Sequence, residues 1–123
     1  MTPADIKALI LDVPDFPKPG IVFKDITPVL SDPALMRGIV EVFADATSPL
    51  GVSKIVGIES RGFIFAAQLA GKFNKGFIPL RKAGKLPPPV MAQSYKLEYG
   101  EATLEVAPAE KPFRVVICDD VLA

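Results

Sequence analysis

The hydrophobic residues near the start of the chain follow helical spacing. They recur from Ile6 to Val13 behind Thr2-Pro3, a pair typical of a helix N-cap and first turn. This pattern predicts a short amphipathic helix over residues 3–12. The segment VPDFPKPG (13–20) contains three prolines, which exclude both a helix and a central strand.

Two longer helices are predicted from the same period of 3.6 residues. The first begins at Asp32-Pro33 and ends before Pro49, and its apolar stripe consists of Leu35, Met36, Ile39, Val40 and Phe43. The second covers residues 62–70, and its predicted buried side consists of Phe63, Ala66, Ala67 and Ala70. Each helix therefore has one apolar face with which to cover a sheet.

Short apolar runs on either side of the second helix predict the strands of that sheet. Residues 54–58 and 77–81 flank the helix, and this strand–helix–strand order indicates a parallel βαβ unit. Alternating polar and apolar residues over 94–98 and 102–106 predict an antiparallel hairpin. The expected fold class is α/β, with an open parallel sheet flanked by helices.

A last buried strand is predicted over residues 114–118, and only five residues follow it. A parallel strand needs a crossover connection, usually a helix, to reach the next strand. We therefore expect residues 1–123 to form a single, incomplete domain that lacks the C-terminal part of its fold.

Composition excludes several classes of function. The 123 residues carry 14 positive and 14 negative side chains, which excludes a globally basic nucleic-acid binder. The chain has no histidine, which excludes a Ser-His-Asp triad and a histidine-built metal site. Cys118 is the only cysteine and suits the reducing cytoplasm. No apolar run approaches the ~18 residues of a membrane span.

The positive charge is concentrated in one interval. No acidic residue lies between Glu59 and Glu98, whereas that interval contains Arg61, Lys72, Lys75, Arg81, Lys82, Lys85 and Lys96. A solvated basic face is the ordinary explanation of such a run. The alternative is an anion site, because Arg81, Lys82 and Lys85 lie in a Gly/Pro loop from which their side chains can close on a ligand.

Two predicted strands end in polar residues that suit a ligand site. ESRG (59–62) follows one strand, and Asp119-Asp120 follows the last one. In open α/β sheets, ligands bind at the carboxyl ends of the strands. Adjacent carboxylates can accept sugar hydroxyls or hold Mg²⁺ through water, although a lone aspartate is also an ordinary helix cap. By spacing alone, a surface ion pair between Glu59 and Arg61 explains the first segment equally well.

Five segments form a recognisable set when they are taken in order: PDFPKPGIVFKD (14–25), ESRGF (59–63), RKAGKLP (81–87), SYKLEYG (94–100) and RVVICDDVLA (114–123). They resemble the motifs of the adenine phosphoribosyltransferases, a family of the type I phosphoribosyltransferases, from about residue 6 to the end. The last segment resembles the first part of the family's motif for phosphoribosyl pyrophosphate (PRPP). The first and third distinguish the adenine enzymes from the orotate and hypoxanthine enzymes.

The resemblance implies a purine salvage enzyme with a type I phosphoribosyltransferase-like fold. The expected reaction transfers the 5-phosphoribosyl group from PRPP to adenine and gives AMP and pyrophosphate. Mg²⁺ is expected to be held mainly through PRPP and water, near Asp119 and Asp120, without direct protein ligands. A cytoplasmic homodimer is expected, with no nucleic-acid or membrane partner.

Two alternatives from other classes remain open. One is a non-catalytic module of the same fold that senses PRPP or a nucleotide. The other is a fragment that is inactive without its missing C-terminal part. The loop that contains Glu98 and Tyr99 favours the enzyme, because a pure sensor needs neither residue.

The resemblance assigns adenine binding to Val22, Phe23 and Lys24, within an N-terminal helix and base-binding hood over residues 1–33. In the family, the aromatic ring stacks on the base and neighbouring backbone groups read the base edge. From the sequence alone, a core phenylalanine is the better explanation of Phe23.

The resemblance also assigns residues to the pyrophosphate group and to the ribose of PRPP. The basic residues that match contacts of the pyrophosphate are Arg61, Arg81, Lys82 and Lys85. In the family, the residue matching Arg81 can reach into the partner subunit's site. Asp119 and Asp120 match the residues that bind the ribose hydroxyls.

Catalysis is assigned to Glu98, Tyr99 and Arg81. Glu98 matches a loop glutamate that manages the proton on the base, and Tyr99 matches a tyrosine that helps to close the site. Residues 82–106 are expected to form a flexible lid loop and hairpin that excludes water. An exposed carboxylate at the end of a strand is the plain alternative for Glu98.

The family's PRPP motif continues after Leu122-Ala123 with Thr-Gly-Gly-Thr, whose backbone amides hold the 5′-phosphate. The basic loop and the paired aspartates do not replace such a cradle of amides. We therefore expect that the 123 residues alone do not catalyse the reaction.

Overall fold

The structure, a computed structural model, describes residues 2–97, 100–109 and 111–121. The chain divides into two units, Met1–Ala46 and Thr47–Ala123, each defined by its own internal contacts. The elements of the first part of the chain are α1 (Pro3–Lys7), β1 (Leu11–Pro14), β2 (Val22–Asp25), α2 (Thr27–Leu30) and α3 (Pro33–Thr47). Those of the second are β3 (Lys54–Ile58), α4 (Gly62–Phe73), β4 (Gly76–Lys82), β5 (Met91–Leu97), β6 (Gly100–Val106) and β7 (Val115–Cys118).

The N-terminal helix is shorter than its apolar spacing predicts. The predicted cap is present, because Thr2 and Asp5 exchange the hydrogen bonds of a capping box. However, α1 ends at Lys7 and buries no residue. The prediction of a helix over residues 3–12 is therefore wrong beyond α1, and the chain from Leu11 forms β1 instead.

The strands β1 and β2 form an antiparallel two-stranded sheet, with Val13 opposite Phe23 and Asp12 opposite Lys24. The proline-rich segment supplies the end of β1 and the connection to β2. The Asp15 side chain braces this connection by accepting a hydrogen bond from the amide of Gly20 at 3.0 Å. Pro14 is compatible with this position because each strand of a two-stranded sheet is an edge strand.

The long helix α3 confirms the prediction from its 3.6-residue period. Asp32 caps it by accepting hydrogen bonds from the amides of Ala34 and Leu35, at 2.9 and 3.1 Å. Its buried apolar residues are Met36, Ile39, Val40 and Ala44, and Thr47 at its end is buried as well. A single turn of 3₁₀ helix over Ser48–Leu50 follows, and Gly51 ends it with a φ of 62°.

The sheet of the second unit is mixed rather than wholly parallel. Its order is β5-β6-β4-β3-β7, and β3 runs parallel to both β4 and β7. The hairpin β5–β6 joins through the last two residues of β4, where Arg81 lies opposite Glu105 and Lys82 opposite Leu104 in antiparallel register. The predicted parallel core and the predicted hairpin are both present, but they belong to one sheet.

The helix α4 covers β3, β4 and β7 with a face shifted by one position from the prediction. Its buried side chains are Phe65, Ala66, Leu69 and Ala70, whereas Ala67 is exposed and Phe63 is half-buried. Gly57 of β3 permits the close approach of this helix. A Cβ atom at Gly57 would lie 2.7 Å from Cβ of Ala66 and 2.7 Å from Cε2 of Phe77.

Among the described residues, no helix combines the length and the apolar character that a membrane crossing requires.

The contact at Gly57 predicts a stability defect. Gly57→Ala is expected to lower the free energy of unfolding by about 1–3 kcal/mol, because the added methyl group must displace Ala66 or Phe77. Urea unfolding followed by circular dichroism measures the change. The matched control is Gly71→Ala on α4, where an added Cβ meets nothing within 4 Å. That variant is expected to gain about 0.5–1 kcal/mol from helix propensity. Equal stability of Gly57→Ala and the wild type would contradict the packing described here.

Candidate active site

Three polar segments meet at the carboxyl edge of the parallel strands. Residues 59–62 follow β3, Arg81 and Lys82 end β4, and Asp119-Asp120 follow β7. Because β3 pairs in parallel with both neighbours, these three strand ends lie side by side. The sequence-based expectation that these segments share one edge is therefore correct.

Glu59 forms its ion pair with Arg81, not with Arg61 as the surface-pair alternative proposed. Nε of Arg81 donates to Oε1 of Glu59 at 2.8 Å, and the amide of Lys82 approaches the same oxygen at 3.3 Å. The pKa of the Glu59 carboxyl is lowered: burial acts to raise it, but the hydrogen bonds from Arg81 and Lys82 and the charges of Arg81 and Lys85 outweigh burial. Glu59 is therefore a charged acceptor at neutral pH.

The basic turn over residues 82–85 is held to the hairpin by hydrogen bonds from its backbone amides. The amide of Gly84 donates to Oε1 of Glu105 at 2.8 Å, and the amide of Ala83 donates to the carbonyl of Thr103 at 3.1 Å. Gly84 has a φ of 86°, a conformation that favours glycine. The turn leaves the side chains of Lys82 and Lys85 exposed at this edge of the sheet.

Arg61 and Asp120 form a second pair of opposite charges. Nε of Arg61 lies 2.8 Å from Oδ2 of Asp120, whose side chain is only 7% exposed while that of Arg61 is 42% exposed. This buried oxygen accepts no aligned hydrogen bond in the described part of the chain, so the contact is electrostatic. The charges of Arg61 and Asp120, which both lie at this edge of the sheet, thus neutralise each other.

Asp119 lies against the first turn of α4. A Cβ atom at Gly62 would lie 3.0 Å from Oδ1 of Asp119 and 2.8 Å from the carbonyl oxygen of Cys118, so a glycine is needed there. The pKa of Asp119 is raised, first by burial. The amide of Asp120 lowers it, the side chain and charge of Asp120 raise it, and the charge of Arg61 lowers it again. Asp119 therefore protonates more readily than an ordinary aspartate.

The donor set at this edge suits a metal ion that a ligand brings with it. Within residues 2–97, 100–109 and 111–121, no group of three or more Cys, Asp or Glu side chains converges to hold a metal ion. Asp119 and Asp120 offer the carboxylate oxygens that Mg²⁺ takes, but Oδ2 of Asp120 already contacts Arg61. These residues therefore fit a Mg²⁺ ion bound mainly by phosphate oxygens and water.

The predicted base-binding segment lies on β2, in the first unit. Phe23 is half-buried and packs edge-to-face against Phe16, with ring centroids 5.2 Å apart. Its ring therefore packs against a neighbouring ring and keeps part of its surface accessible. Lys24 is paired through its ammonium group with Asp12, and Val22 is 53% exposed. Among the described strands, β2 pairs only with β1, so the backbone of its second edge is not used by a sheet.

Two predicted catalytic residues, Glu98 and Tyr99, lie outside the described residues, and their assignment stays a prediction. Sequence reasoning missed Glu105, which holds the basic turn through Gly84. No signal in the sequence could have identified it, because its position opposite Arg81 depends on the register between β4 and β6.

Cys118 ends β7 as a buried side chain, as its apolar surroundings in the sequence suggest. Burial, with a contribution from the charge of Asp119, raises the pKa of its thiol to about 11. A protonated, buried thiol packs as a small apolar group and is a poor nucleophile.

Comparison with known proteins shows what the chain is similar to. The adenine phosphoribosyltransferase of Synechococcus sp. strain JA-3-3Ab is 57% identical over 122 residues, which is 97% of this chain and 70% of that protein. The crystal structure of adenine phosphoribosyltransferase from Thermoanaerobacter pseudethanolicus superposes with a TM-score of 0.91 at 45% identity and covers 99% of this chain and 72% of its own.

A third similar protein carries bound molecules. The adenine phosphoribosyltransferase of Saccharomyces cerevisiae, complexed with an imino-altritol bisphosphate and adenine, has a TM-score of 0.83 at 35% identity and covers 93% of this chain and 68% of its own. No family model matches the chain.

The environment of Cys118 predicts slow thiol chemistry. In the folded protein at pH 7.5, the reaction of Cys118 with a disulfide reagent such as DTNB is expected to be ~10²-fold slower than in urea, because both burial and the raised pKa suppress the thiolate. Absorbance at 412 nm measures both rates, and one thiol per chain is expected to react after unfolding. A folded-state rate equal to that of the unfolded chain would show that Cys118 is accessible.

Proposed function

The chain belongs to the adenine phosphoribosyltransferase family, and on that premise we propose that it transfers the 5-phosphoribosyl group from PRPP to adenine, giving AMP and pyrophosphate. The observation that carries the proposal is the meeting of cationic and carboxylate groups at one edge of the sheet, in a chain of this family. Family membership also confirms the predicted fold class, with the sheet corrected to mixed, and the predicted enzyme class, a glycosyltransferase.

The cationic groups suit the departure of pyrophosphate. Negative charge grows on this leaving group as its bond to the anomeric carbon breaks, so fixed cations stabilise the transition state more than the ground state. We assign this role to Arg61, Arg81, Lys82 and Lys85. The hydrogen bonds that hold the turn over residues 82–85 fix the backbone from which two of these side chains extend.

The carboxylates after β7 suit the ribose. Asp119 and Asp120 can accept hydrogen bonds from two vicinal hydroxyl groups, and charged acceptors make such bonds stronger than neutral ones. In the ligand-free arrangement, Asp120 contacts Arg61 instead. Binding of PRPP would therefore exchange this ion pair for contacts of Arg61 with pyrophosphate and of Asp120 with ribose. When bound, Mg²⁺ would neutralise part of the pyrophosphate charge near Asp119 and Asp120.

The strand β2 suits recognition of a planar base. The yeast relative was crystallised with adenine, and we assign adenine binding in this chain to Val22, Phe23 and Lys24. The half-buried ring of Phe23 offers an aromatic face for stacking, and the backbone of Val22 and Lys24 on β2 offers hydrogen-bond donors and acceptors beside it. Because the Lys24 ammonium is engaged by Asp12, its backbone is the better candidate for reading the base.

The remaining assignments rest on family resemblance. Glu98 is proposed to manage the proton that adenine loses, and Tyr99 to close the site, with residues 82–106 acting as a flexible lid. A cytoplasmic homodimer is proposed as well, and the molar mass in solution from sedimentation equilibrium tests the oligomeric state.

The proposed reaction predicts a selective activity. The protein at its full length, mixed with PRPP, Mg²⁺ and adenine, is expected to form AMP, and to use hypoxanthine poorly. A site that pairs its buried polar groups with an amino group leaves them unpaired when a carbonyl replaces it. Chromatographic measurement of AMP and IMP tests both statements. Equal rates with the two bases would overturn the base assignment. Binding of PRPP without any AMP formation would instead indicate the sensing module.

Two substitutions are expected to separate base binding from turnover. Phe23→Ala should raise the KM for adenine more than it lowers kcat, because stacking is present in both the bound ground state and the transition state. Glu98→Gln should lower kcat by ~10²-fold or more with little change in KM, because general acid–base help is worth roughly that much. Steady-state kinetics on both variants measures the contrast. A pure kcat defect in Phe23→Ala, or wild-type turnover in Glu98→Gln, would contradict the assigned roles.

A further inference from the structure

Glu59 places a negative charge at an edge of the sheet that is proposed to bind an anion. By Coulomb's law alone, a carboxylate in this position weakens the attraction for pyrophosphate. Its side chain is only 10% exposed, so solvent screens it incompletely. A function for Glu59 must therefore come from what its carboxylate contacts.

The contacts of Glu59 join two neighbouring strand ends. Its own amide donates to the carbonyl of Leu80 at 2.9 Å, which extends the pairing of β3 and β4 by one residue. Its Oε1 atom then accepts from Nε of Arg81 at 2.8 Å and lies 3.3 Å from the amide of Lys82. One oxygen thus holds a guanidinium group and the first residue of the basic turn.

Contacts other than the one with Glu59 also restrict the Arg81 side chain. Its Cζ atom lies 5.9 Å from the ring centroid of Phe63, and that ring packs edge-to-face against Phe77. Its Nη1 atom makes a long contact of 3.5 Å with the carbonyl of Lys85. Among the described residues, these contacts leave the Nη2 nitrogen of the guanidinium for another acceptor, and the side chain is 33% exposed.

We propose that Glu59 is a positioning residue that orients Arg81 and the basic turn after β4 toward the pyrophosphate of PRPP. The proposal rests on the proposed function of the chain. A guanidinium group on a free side chain must lose rotamer freedom when an anion binds, whereas one that is already held loses little. The Glu59 carboxylate thus weakens the Coulombic attraction for pyrophosphate, but it reduces the conformational entropy that Arg81 loses when the anion binds.

The sign of the effect separates positioning from simple electrostatics. If Glu59 acted only as a nearby negative charge, its removal would strengthen the binding of an anion. If it acts by holding Arg81 and Lys82, its removal weakens that binding, although one negative charge has been lost.

The test is calorimetric titration of the protein with inorganic pyrophosphate and Mg²⁺. Glu59→Gln keeps the shape of the side chain and removes its charge, and the variant is expected to bind roughly 10-fold more weakly than the wild type. Asp45→Asn removes the same charge from an exposed position on α3 and is the matched control, with an expected change below twofold. In turnover assays, the KM for PRPP should rise while that for adenine stays unchanged.

A double-mutant cycle assigns the effect to Arg81. In an Arg81→Ala background, Glu59→Gln should weaken pyrophosphate binding much less, because the guanidinium group that Glu59 orients is gone and a glutamine oxygen can still accept from the amide of Lys82. A second readout needs no ligand: the Nε–H resonance of Arg81 in a ¹⁵N spectrum should exchange faster with water in Glu59→Gln, and the Arg81→Ala spectrum identifies that resonance.

The possible outcomes test the positioning role of Glu59 separately from the proposed function of the chain. Equal or tighter pyrophosphate binding by Glu59→Gln, or an equal loss in the Arg81→Ala background, would overturn the positioning role. Absence of pyrophosphate and PRPP binding by the wild type would instead overturn the proposed function, while the Nε–H measurement would still test the contact with Arg81.

Discussion

The close approach of α4 to the parallel strands is the constraint on which the rest of the second unit depends. At both Gly57 and Gly62 a Cβ atom would lie under 3.0 Å from its neighbours, so only glycine permits this packing. Gly57 admits the helix to the middle of β3, and Gly62 admits its first turn to the end of β7. Gly62 thus lets the start of α4 lie against Asp119, while the parallel pairing of β3 with β4 and β7 places the three strand ends at one edge.

The electrostatics of that edge follow from this crowding. Arg61 and Asp120 extend from neighbouring strand ends, as do Glu59 and Arg81, and each pair meets at 2.8 Å. The carboxylate is the more buried partner in both pairs, with 7% and 10% exposure against 42% and 33% for the arginines. Each buried carboxylate needs the cation to offset its desolvation, whereas each arginine keeps contact with solvent. Each arginine is therefore held by a buried carboxylate, while part of its own side chain stays exposed to solvent.

The elements that depend on local periodicity could be predicted from the sequence. Features that depend on contacts between distant segments could not. The period of 3.6 residues identified α3 and located α4, although the buried face of α4 begins at Phe65 and not at Phe63. It also predicted a helix over residues 3–12, which ends at Lys7 in the structure. The pairing of Leu11–Pro14 with β2 across the proline segment is not a local signal and was missed. The meeting of three polar strand ends at one edge could be predicted, because the carboxyl ends of parallel strands lie at the same edge of a sheet. The partner of Glu59 could not, because it depends on the register between β3 and β4.

That register brings a carboxylate to the edge that is proposed to bind an anion. Glu59 follows Ile58, which lies opposite Leu80, so the next residue on each strand brings Glu59 beside Arg81. Without a carboxylate, Arg61, Arg81, Lys82 and Lys85 would repel one another across a short stretch of surface, and their long side chains would spread into solvent. Two acidic partners reduce this repulsion and restrict the guanidinium groups, at the cost of part of the attraction for a ligand. An incoming polyanion supplies more negative charge than either carboxylate, so the balance favours ligand contacts once it arrives.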